Sequence, residues 1–468
     1  MNHRSISHHG FLPYALAAFL IGIVGGFSTV LGPAFVQEQH LPYSHTTWTA
    51  LAQAMSTAAL SPIFGRVGDC LGRRRTLVYG MVVFTLGNAL SALAGHFFVM
   101  LAARFLVGVG TAAMAPAIVA YIVTQFPPDR TASGFSQYML ISSISVVLGP
   151  TLGGLLLAHQ GWRTMMWICT AICVAVLSLC LVLTRGQKDI LRPMTGFDIP
   201  GAVLGFFFFS LLLCLPAVGQ TAGWRSGALV IVGASALGCL AGLAAVEQNA
   251  DTPLFSLPFL RRRTFLLSVL SLFLTQGLMQ ANMTNLIVFV QSTMPRQSVV
   301  SAYAISVLYL GMSLGAILLG PLGDRHEPRN VLTVSLLVTG AGCAWMLAFS
   351  ASTPAGLMMA SLGLLGFGLG GNGTIFLKVA LWGLSKEDAG ANTGTYGLFR
   401  DLAAPFGVAV FVPLFTNRLS AATAQGIPQA EAAVTAIHVL ALTELICVAL
   451  GLAAVRALPP LHQKGRNP

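Results

Sequence analysis

The stretch Gly65-Arg-Val-Gly-Asp-Cys-Leu-Gly-Arg-Arg-Arg75 places one acidic residue among four arginines, between two long apolar segments. Glycine allows a tight turn, and Asp69 can pair with the arginines or cap a neighbouring helix. A charged cluster of this kind can stabilise one conformation and break in another. The alternative interpretation is a solvated loop whose positive charges serve only the membrane topology.

A shorter copy of this stretch occurs in the second half of the chain. Gly65-x-x-x-Asp69 recurs as Gly320-x-x-x-Asp324, followed by Arg325, at an offset of 255 residues. The same offset relates two further pairs, Pro150 with Pro405 and Gly108 with Gly363. The repeat predicts two related halves, and transporters with paired halves have their substrate site between them.

The composition around these motifs is that of a membrane protein. Only 8% of the 468 residues are charged, against about 25% in soluble domains, and 55% are hydrophobic. The mean hydropathy is +0.79. One or two soluble domains cannot bury so much apolar surface, whereas a bilayer solvates it. The net charge of +11 lies mainly between the apolar segments, which favours a topological role and gives no reason to expect nucleic acid as a partner.

Fourteen apolar segments are long enough to cross a bilayer, which takes about 20 residues in a helix. They are predicted at 11–36, 46–65, 76–95, 97–125, 133–158, 163–184, 199–219, 226–246, 265–292, 299–320, 331–350, 354–384, 391–417 and 433–457. The repeat offset equals eight spans, so the seventh and eighth spans are an insert. The prediction is an all-α membrane protein with 14 transmembrane helices. It comprises an N-terminal six-helix half at 1–184, two inserted helices with linkers at 185–264, and a C-terminal six-helix half with a cytoplasmic tail at 265–468.

The distribution of Lys and Arg predicts the orientation. With both termini in the cytoplasm, 18 of the 25 basic residues lie on the cytoplasmic side, four lie outside and three lie within spans. Cytoplasmic loops are enriched in Lys and Arg. The chain is therefore predicted to be a multi-pass protein of the cytoplasmic (inner) membrane.

Ionisable residues inside the predicted spans are candidates for proton coupling: Arg104, Arg400, Asp401 and Glu444. An ionised side chain at the bilayer centre costs about 2.5–3.5 kcal/mol on insertion scales. We hypothesise that Asp401 or Glu444 carries a proton, because burial favours the neutral form of a carboxyl group. The alternatives are structural roles. Arg104 would bond backbone carbonyls near Gly108, Arg400 would form a fixed pair with a carboxylate, and Glu444 would face a partner helix.

Polar side chains on later spans are candidates for a substrate cavity: Gln276, Gln280, Asn282, Asn285, Asn372 and Tyr396. Amides in a bilayer either connect helices or line a wet cavity. Gln276, Gln280 and Asn282 cover more than one helix face, so not all of them can line it. The sequence has no P-loop, H-E-x-x-H or nucleophile elbow, which argues against a primary pump and against an enzyme.

Together these motifs resemble the major facilitator superfamily. The residues that match its signature loop between helices 2 and 3 are Gly65, Asp69, Gly72, Arg73 and Arg74. The resemblance implies that this loop, with Asp324 and Arg325 in the repeat, gates alternating access.

Three further motifs are similar to those of one branch of that superfamily. Leu101-x-x-Arg104-x-x-x-Gly108 resembles the helix-4 motif, whose arginine is linked to proton coupling. The helix-5 "antiporter" motif of exporters is matched by Gly149, Pro150, Gly153 and Gly154. Glu247 with residues 253–265 resembles the linker after helix 8 in the fourteen-helix drug:proton antiporters, which are multidrug efflux transporters.

The resemblance implies a secondary active transporter with the major facilitator fold. Its expected activity is proton-coupled export of small amphipathic organic compounds or drugs, with the proton gradient as the energy source and no cofactor or metal. The expected partners are a small-molecule substrate and the lipid bilayer, and the protein would act as a monomer or with an adaptor protein.

One departure from the branch bears on coupling. The branch commonly has an Asp in helix 1 shortly before a Thr, whereas this chain reads Gly26-Phe-Ser-Thr-Val30. Three alternatives therefore stay open: an uncoupled transporter of the same fold, a transporter coupled to another ion, and a membrane sensor that does not transport.

Overall fold

The computed structural model describes residues 8–41, 45–125, 131–185, 198–249, 260–293, 298–380, 382 and 389–459. Within these ranges the chain forms thirteen helices. They are α1 (His8–Glu38), α2 (His45–Leu71), α3 (Arg73–Ala92), α4 (Phe97–Gln125), α5 (Thr131–Leu183), α6 (Ile199–Ala222), α7 (Gly227–Asn249), α8 (Arg263–Thr293), α9 (Ser298–Arg325), α10 (Pro328–Met346), α11 (Ala355–Ala380), α12 (Ala389–Ala424) and α13 (Gln429–Arg456). Most of the linker that resembles the drug:proton antiporters lies outside the described residues.

Nine segments of the described chain are long and apolar enough to cross a membrane. They lie in α1, α4, the second part of α5, α6, α7, α8, α9, α11 and α13. α3 is not among them, and it begins with three arginines that directly precede the predicted span at 76–95. The chain is thus an all-helical, multi-pass membrane protein, and the count of fourteen spans stays a prediction.

A single glycine divides α5 into two arms, 131–160 and 162–183. Gly161 has φ 77° and ψ 166°, a conformation that favours glycine over residues with a Cβ. The break falls between the predicted fifth and sixth spans at 133–158 and 163–184. The two predicted spans are therefore joined by one left-handed residue.

Hydroxyl side chains inside the helices bond to their own backbone. Thr85 Oγ1 donates to Met81 O at 2.7 Å, and Thr111 Oγ1 donates to Val107 O at 2.9 Å. Lipid supplies no hydrogen-bond partners, so an internal carbonyl is the nearest acceptor. These residues can therefore lie in apolar surroundings without an unpaired hydroxyl.

The described residues group into two compact units. The first unit takes the described residues of 1–257 and 384–401, and the second takes those of 258–383 and 402–468. In the first unit, α1 packs against α5, and α4 packs against both α2 and α3. The helices α6 and α7 pack against each other, and α6 also packs against α2. In the second unit, α11 packs against α9 and α10, and α13 packs against α8 and α10. The predicted domain boundaries at residues 184 and 264 stay predictions.

Each unit contains a close helix contact at equivalent positions of the sequence repeat. A Cβ atom added to Gly108 would lie 1.9 Å from Ser56 Oγ, between α2 and α4. At the same offset of 255 residues, a Cβ atom added to Gly311 would lie 2.3 Å from Gly363 O, between α9 and α11. Small residues therefore let these helix pairs approach closely in both units.

The signature stretch is helical, so the prediction of a loop is wrong for these residues. α2 continues to Leu71 and α3 begins at Arg73. Gly72 alone separates the two helices, with φ 96° and ψ 140°. Its N–H donates to Gly68 O and its carbonyl accepts from the Thr76 N–H, both at 3.1 Å. The prediction failed because the length of an apolar segment indicates only where the chain leaves the bilayer. The helices α2 and α3 continue beyond their apolar segments.

The contact between α1 and α5 gives a test of the close packing. A Cβ atom at Gly149 would lie 2.8 Å from both Gly26 Cα and Ile23 O, whereas one at Gly154 would meet open space. We expect Gly149→Ala to destabilise the protein by about 1–3 kcal/mol, because the two backbones must separate. Gly154→Ala is the matched control and should be neutral or stabilising by up to about 1 kcal/mol. Thermal unfolding in detergent measures both, and equal melting temperatures would contradict the close contact.

Candidate functional site

One basic side chain in each unit joins two helices near their ends. Arg73 Nη1 donates to Ala120 O on α4 at 3.0 Å. In the second unit, Lys378 Nζ on α11 donates to Gly323 O on α9 at 2.8 Å. A Cβ atom added to Gly65 would lie 3.7 Å from Pro116 Cβ, and Arg325 is exposed. The side chains of Asp69 and Asp324 lie outside the described residues, so their pairing and the gating role stay predictions.

Arg104 is buried in the first unit and bonds to neutral side chains on two other helices. Its Nη1 donates to Ser28 Oγ on α1 at 2.9 Å. Its Nη2 donates to two oxygens on α3, Asn88 Oδ1 at 3.4 Å and Ser91 Oγ. Within the described ranges its Nε–H has no hydrogen-bond partner. Arg104 is 2% exposed, and no carboxylate contacts it among the described residues.

These acceptors differ from the backbone carbonyls that the sequence suggested as a structural alternative for Arg104. The residues that hold it were not identified from the sequence. Asn88 and Ser91 are three positions apart and so share a face of α3. The sequence signal that could have identified them is a pair of polar residues at helical spacing within an apolar span.

Ser28 links Arg104 to a wider polar cluster in the first unit. The Ser28 hydroxyl lies 2.9 Å from Val24 O and 3.4 Å from Gln53 Oε1 on α2. Cys169, on the second arm of α5, lies with its Sγ 3.8 Å from Asn88 Oδ1. Ser28 belongs to the segment where the resembling branch has an Asp. A neutral hydroxyl therefore faces Arg104 from the segment where a carboxylate is usual.

Glu444 is the buried carboxyl group of the second unit. It is fully buried, and Asn282 Nδ2 on α8 donates to its Oε1 at 2.6 Å. The thiol of Cys343 on α10 lies next to it. Its Oε2 has no hydrogen-bond partner among the described residues. Both Glu444 and Asn282 were predicted site residues, but the sequence did not predict their contact or the part played by Cys343.

The predicted cavity residues have different surroundings. Asn285 Nδ2 donates to Phe411 O at 3.2 Å, and Asn282 Nδ2 also donates to Leu278 O at 3.0 Å. Both residues are fully buried, so their amides connect or support helices in this structure. Asn372 is 1% exposed, and neither its amide nitrogen nor its amide oxygen has a hydrogen-bond partner in the part of the chain that the structure describes.

The structure says less about the remaining predicted site residues. Three of them are half-buried: Gln276, Gln280 and Arg400. Tyr396 is buried, and its hydroxyl has no hydrogen-bond partner among the described residues. The side chains of Asp401 and Pro150 lie outside the described residues. Gly149 packs against Gly26 as described above, and a Cβ atom at Gly153 would lie 3.0 Å from Phe27 Cδ1. The roles assigned to these residues stay predictions.

A cavity of about 480 Å³ lies between α1 and α5 and was not predicted. It extends from Thr29 to Glu38 along α1 and reaches Gly161 and Trp162 on α5. Glu38 accepts hydrogen bonds from Trp162 Nε1 and Arg163 Nη1 at one end. The Arg163 guanidinium also lies over the Trp162 ring, 4.4 Å from its centroid.

Long apolar helices in two units, related by a sequence repeat and holding ionisable groups among neutral partners, define a membrane transporter. The chain belongs to the Major Facilitator Superfamily, because the family model matches residues 14–408. Members of this family are transporters and not enzymes.

Several proteins resemble this chain over most of its length. The probable actinorhodin transporter of Streptomyces coelicolor is 29% identical over 436 residues, which cover 88% of this chain and 75% of that protein. Multidrug resistance protein 3 of Bacillus subtilis is 23% identical over 80% of this chain and 73% of that protein. The puromycin resistance protein pur8 of Streptomyces alboniger is 26% identical over 88% of this chain and 82% of that protein.

A solved structure supports the fold. The E. coli fucose:proton symporter, FucP, matches with a TM-score of 0.60 and 15% sequence identity. The match covers 96% of this chain and 98% of that one. At this identity the likeness shows the major facilitator fold alone.

The contact between Asn282 and Glu444 gives a quantitative test. Hydrogen bonds between membrane helices contribute about 0.6 kcal/mol on average and up to about 1.7 kcal/mol. We expect a double-mutant cycle with Asn282→Leu and Glu444→Leu to give a coupling energy in the upper part of that range, because the bond is short and fully buried. Unfolding free energies of the four proteins measure it. A coupling energy near zero would show that the two side chains do not interact.

Proposed function

We propose that this transporter exports small amphipathic organic compounds in exchange for protons, by alternating access, in the cytoplasmic membrane. The observation that carries the proposal is Glu444, a fully buried carboxyl group with only neutral contacts among the described residues. The relatives named for antibiotic or multidrug transport and resistance support the substrate class. Both termini would lie in the cytoplasm, and the protein would work as a monomer or with an adaptor protein.

The geometry around Glu444 indicates where a proton would be held. The Asn282 amide donates to Oε1, so this oxygen acts as an acceptor. Oε2 has no hydrogen-bond partner in the described part of the chain and is the atom on which a proton can reside. The protonated group is neutral and suits apolar burial, whereas an ionised one carries a large desolvation cost. Loss of the proton would therefore favour a conformation in which water reaches Glu444, which links proton release to conformational change.

The second candidate is a transporter of the same fold that is uncoupled or coupled to another ion. The observation in its favour is the segment Gly26–Val30, which has no acid and presents Ser28 to Arg104. Under this alternative, Glu444 would only connect α8, α10 and α13. Asp401 stays a candidate proton carrier under the main proposal.

Purified protein in liposomes tests the proposal directly. A proton gradient would be imposed, acid outside, and internal pH followed while cationic, neutral and anionic amphiphiles are added. We expect substrate-dependent proton movement that is lost in Glu444→Gln, while substrate exchange without a gradient continues. Glu431→Gln is the matched control, because Glu431 is an exposed carboxyl group at the start of the same helix.

The remaining outcomes distinguish the alternatives. Proton movement lost in Asp401→Asn but retained in Glu444→Gln would assign the proton to Asp401. Proton coupling that survives both substitutions would exclude both carboxyl groups as the proton carrier. Substrate flux in the wild type without proton movement would support the uncoupled or other-ion alternative.

A further inference from the structure

We propose that Arg104 forms an anion-binding site, so that the compounds carried are organic acids whose carboxylate or phenolate group lies against its guanidinium. This inference names the substrate class of the proposed transport function and rests on it. It follows from three features of the first unit: the charge balance around Arg104, the open side of α1, and the chemistry of the guanidinium group.

The charge balance around Arg104 is incomplete. Arg104 is 2% exposed, and its acceptors are a serine on α1 and an asparagine and a serine on α3, all neutral. Its Nε–H is buried and has no partner among the residues that the structure describes. A buried cation is costly unless it is both paired and hydrogen-bonded. Neutral oxygens supply hydrogen bonds here but no opposite charge, so an anion is the missing component.

Part of the side of α1 that reaches Arg104 is open among the described residues. Gly25, Ser28 and Thr29 are spaced i, i+3 and i+4 and so share one side of the helix. A Cβ atom added to Gly25 would meet open space, Ser28 is half-buried and Thr29 is exposed. Thr29 also lines the cavity of about 480 Å³ between α1 and α5. A ligand on this side therefore lies beside Ser28, whose hydroxyl is the α1 contact of Arg104.

The chemistry of the cluster favours an anionic ligand over a cationic or neutral one. Among the described residues, the polar groups in and around this cluster are Ser28, Gln53, Asn88, Ser91, Cys169 and Cys173, and none of them is a carboxylate. A cation would be repelled by the guanidinium, and a neutral group would leave its charge uncompensated. A planar guanidinium binds a carboxylate through two parallel hydrogen bonds. A ligand carboxylate that takes the place of the Ser28 hydroxyl would accept from Nη1, and from Nη2 beside it.

The test compares a fluorescent aromatic carboxylate with its methyl ester, using purified protein in detergent at neutral pH. We expect the wild type to bind the acid about ten- to a hundredfold more tightly than the ester, as hydrogen bonds to charged groups allow. Ser28→Asp places a carboxylate beside Arg104 and should abolish this preference and raise the melting temperature. Ser28→Asn has a similar shape without the charge and should keep the preference.

A second pair of variants makes the test independent of position 28. Arg104→Lys keeps the positive charge and should retain a reduced preference for the acid, whereas Arg104→Gln should lose it. An arm with chloride replaced by sulfate at equal ionic strength distinguishes an organic acid site from a chloride site. The site would be assigned to chloride if chloride competes strongly with the acid and if, in the buffer without chloride, the protein shows no preference for the acid over the ester. That result would overturn the organic-acid proposal.

The outcomes separate this inference from the proposed transport function. Equal binding of acid and ester by the wild type, or a preference that survives Ser28→Asp, would overturn the anion site. Transport of cationic amphiphiles alone would overturn it while leaving proton-coupled export intact. Binding of the acid that depends on Arg104, without transport of any compound in liposomes, would support the site and contradict the transport function.

Discussion

The buried guanidinium of Arg104 is the constraint on which the packing of the first unit depends. It lies on α4 and bonds to α1 through Ser28 and to α3 through Asn88 and Ser91. A charge in this position requires three helices to meet at defined distances. Glycine makes the approach of α3 to α4 possible, since a Cβ atom at Gly87 would lie 2.7 Å from Val107 N. The same contacts therefore hold the helices together and supply hydrogen bonds to the buried charge.

The second unit buries an ionisable group of the opposite charge beside the repeat equivalent of Asn88. Asn88 and Cys343 are related by the repeat offset of 255 residues. In the first unit, Asn88 contacts Arg104 and lies near Cys169 on the second arm of α5. In the second unit, Cys343 lies next to Glu444 on α13. The repeat thus preserves the helix contact at Gly108 and Gly363 but changes the polar residues, so that the two halves differ in the charge they bury.

Local features of the sequence predicted much of the fold. Apolar length predicted an all-helical membrane protein, and nine segments of the described chain are long and apolar enough to span a membrane. The single offset predicted the repeat whose helix contacts the structure shows in both units. The break at Gly161 fell between two predicted spans, because a glycine can adopt the left-handed conformation that separates them. The end of α2 was missed because residues 66–71, which include Arg66 and Asp69, continue the helix beyond the apolar segment.

The site was predicted only in part, because its contacts join residues far apart in the chain. Arg104 and Ser28 are separated by 76 residues, and Asn282 and Glu444 by 162. The cost of burying an ionised group identified Arg104 and Glu444 as candidates. No local pattern indicates which side chain faces them, so the sequence predicted neither Asn282 as the contact of Glu444 nor the neutral surroundings of Arg104.

The two proposed ligands have the same physical effect on their sites. An organic anion beside Arg104 and a proton on Glu444 each convert a costly buried charge into a neutral or paired group. Exchange of one anion outward for one proton inward moves two charges across the membrane in the same electrical direction. A potential of 100 mV, negative inside, contributes about 2.3 kcal/mol for each elementary charge, or about 4.6 kcal/mol for this exchange. A site that binds anions therefore lets the membrane potential assist export, which an exchange of a monovalent cation for one proton does not.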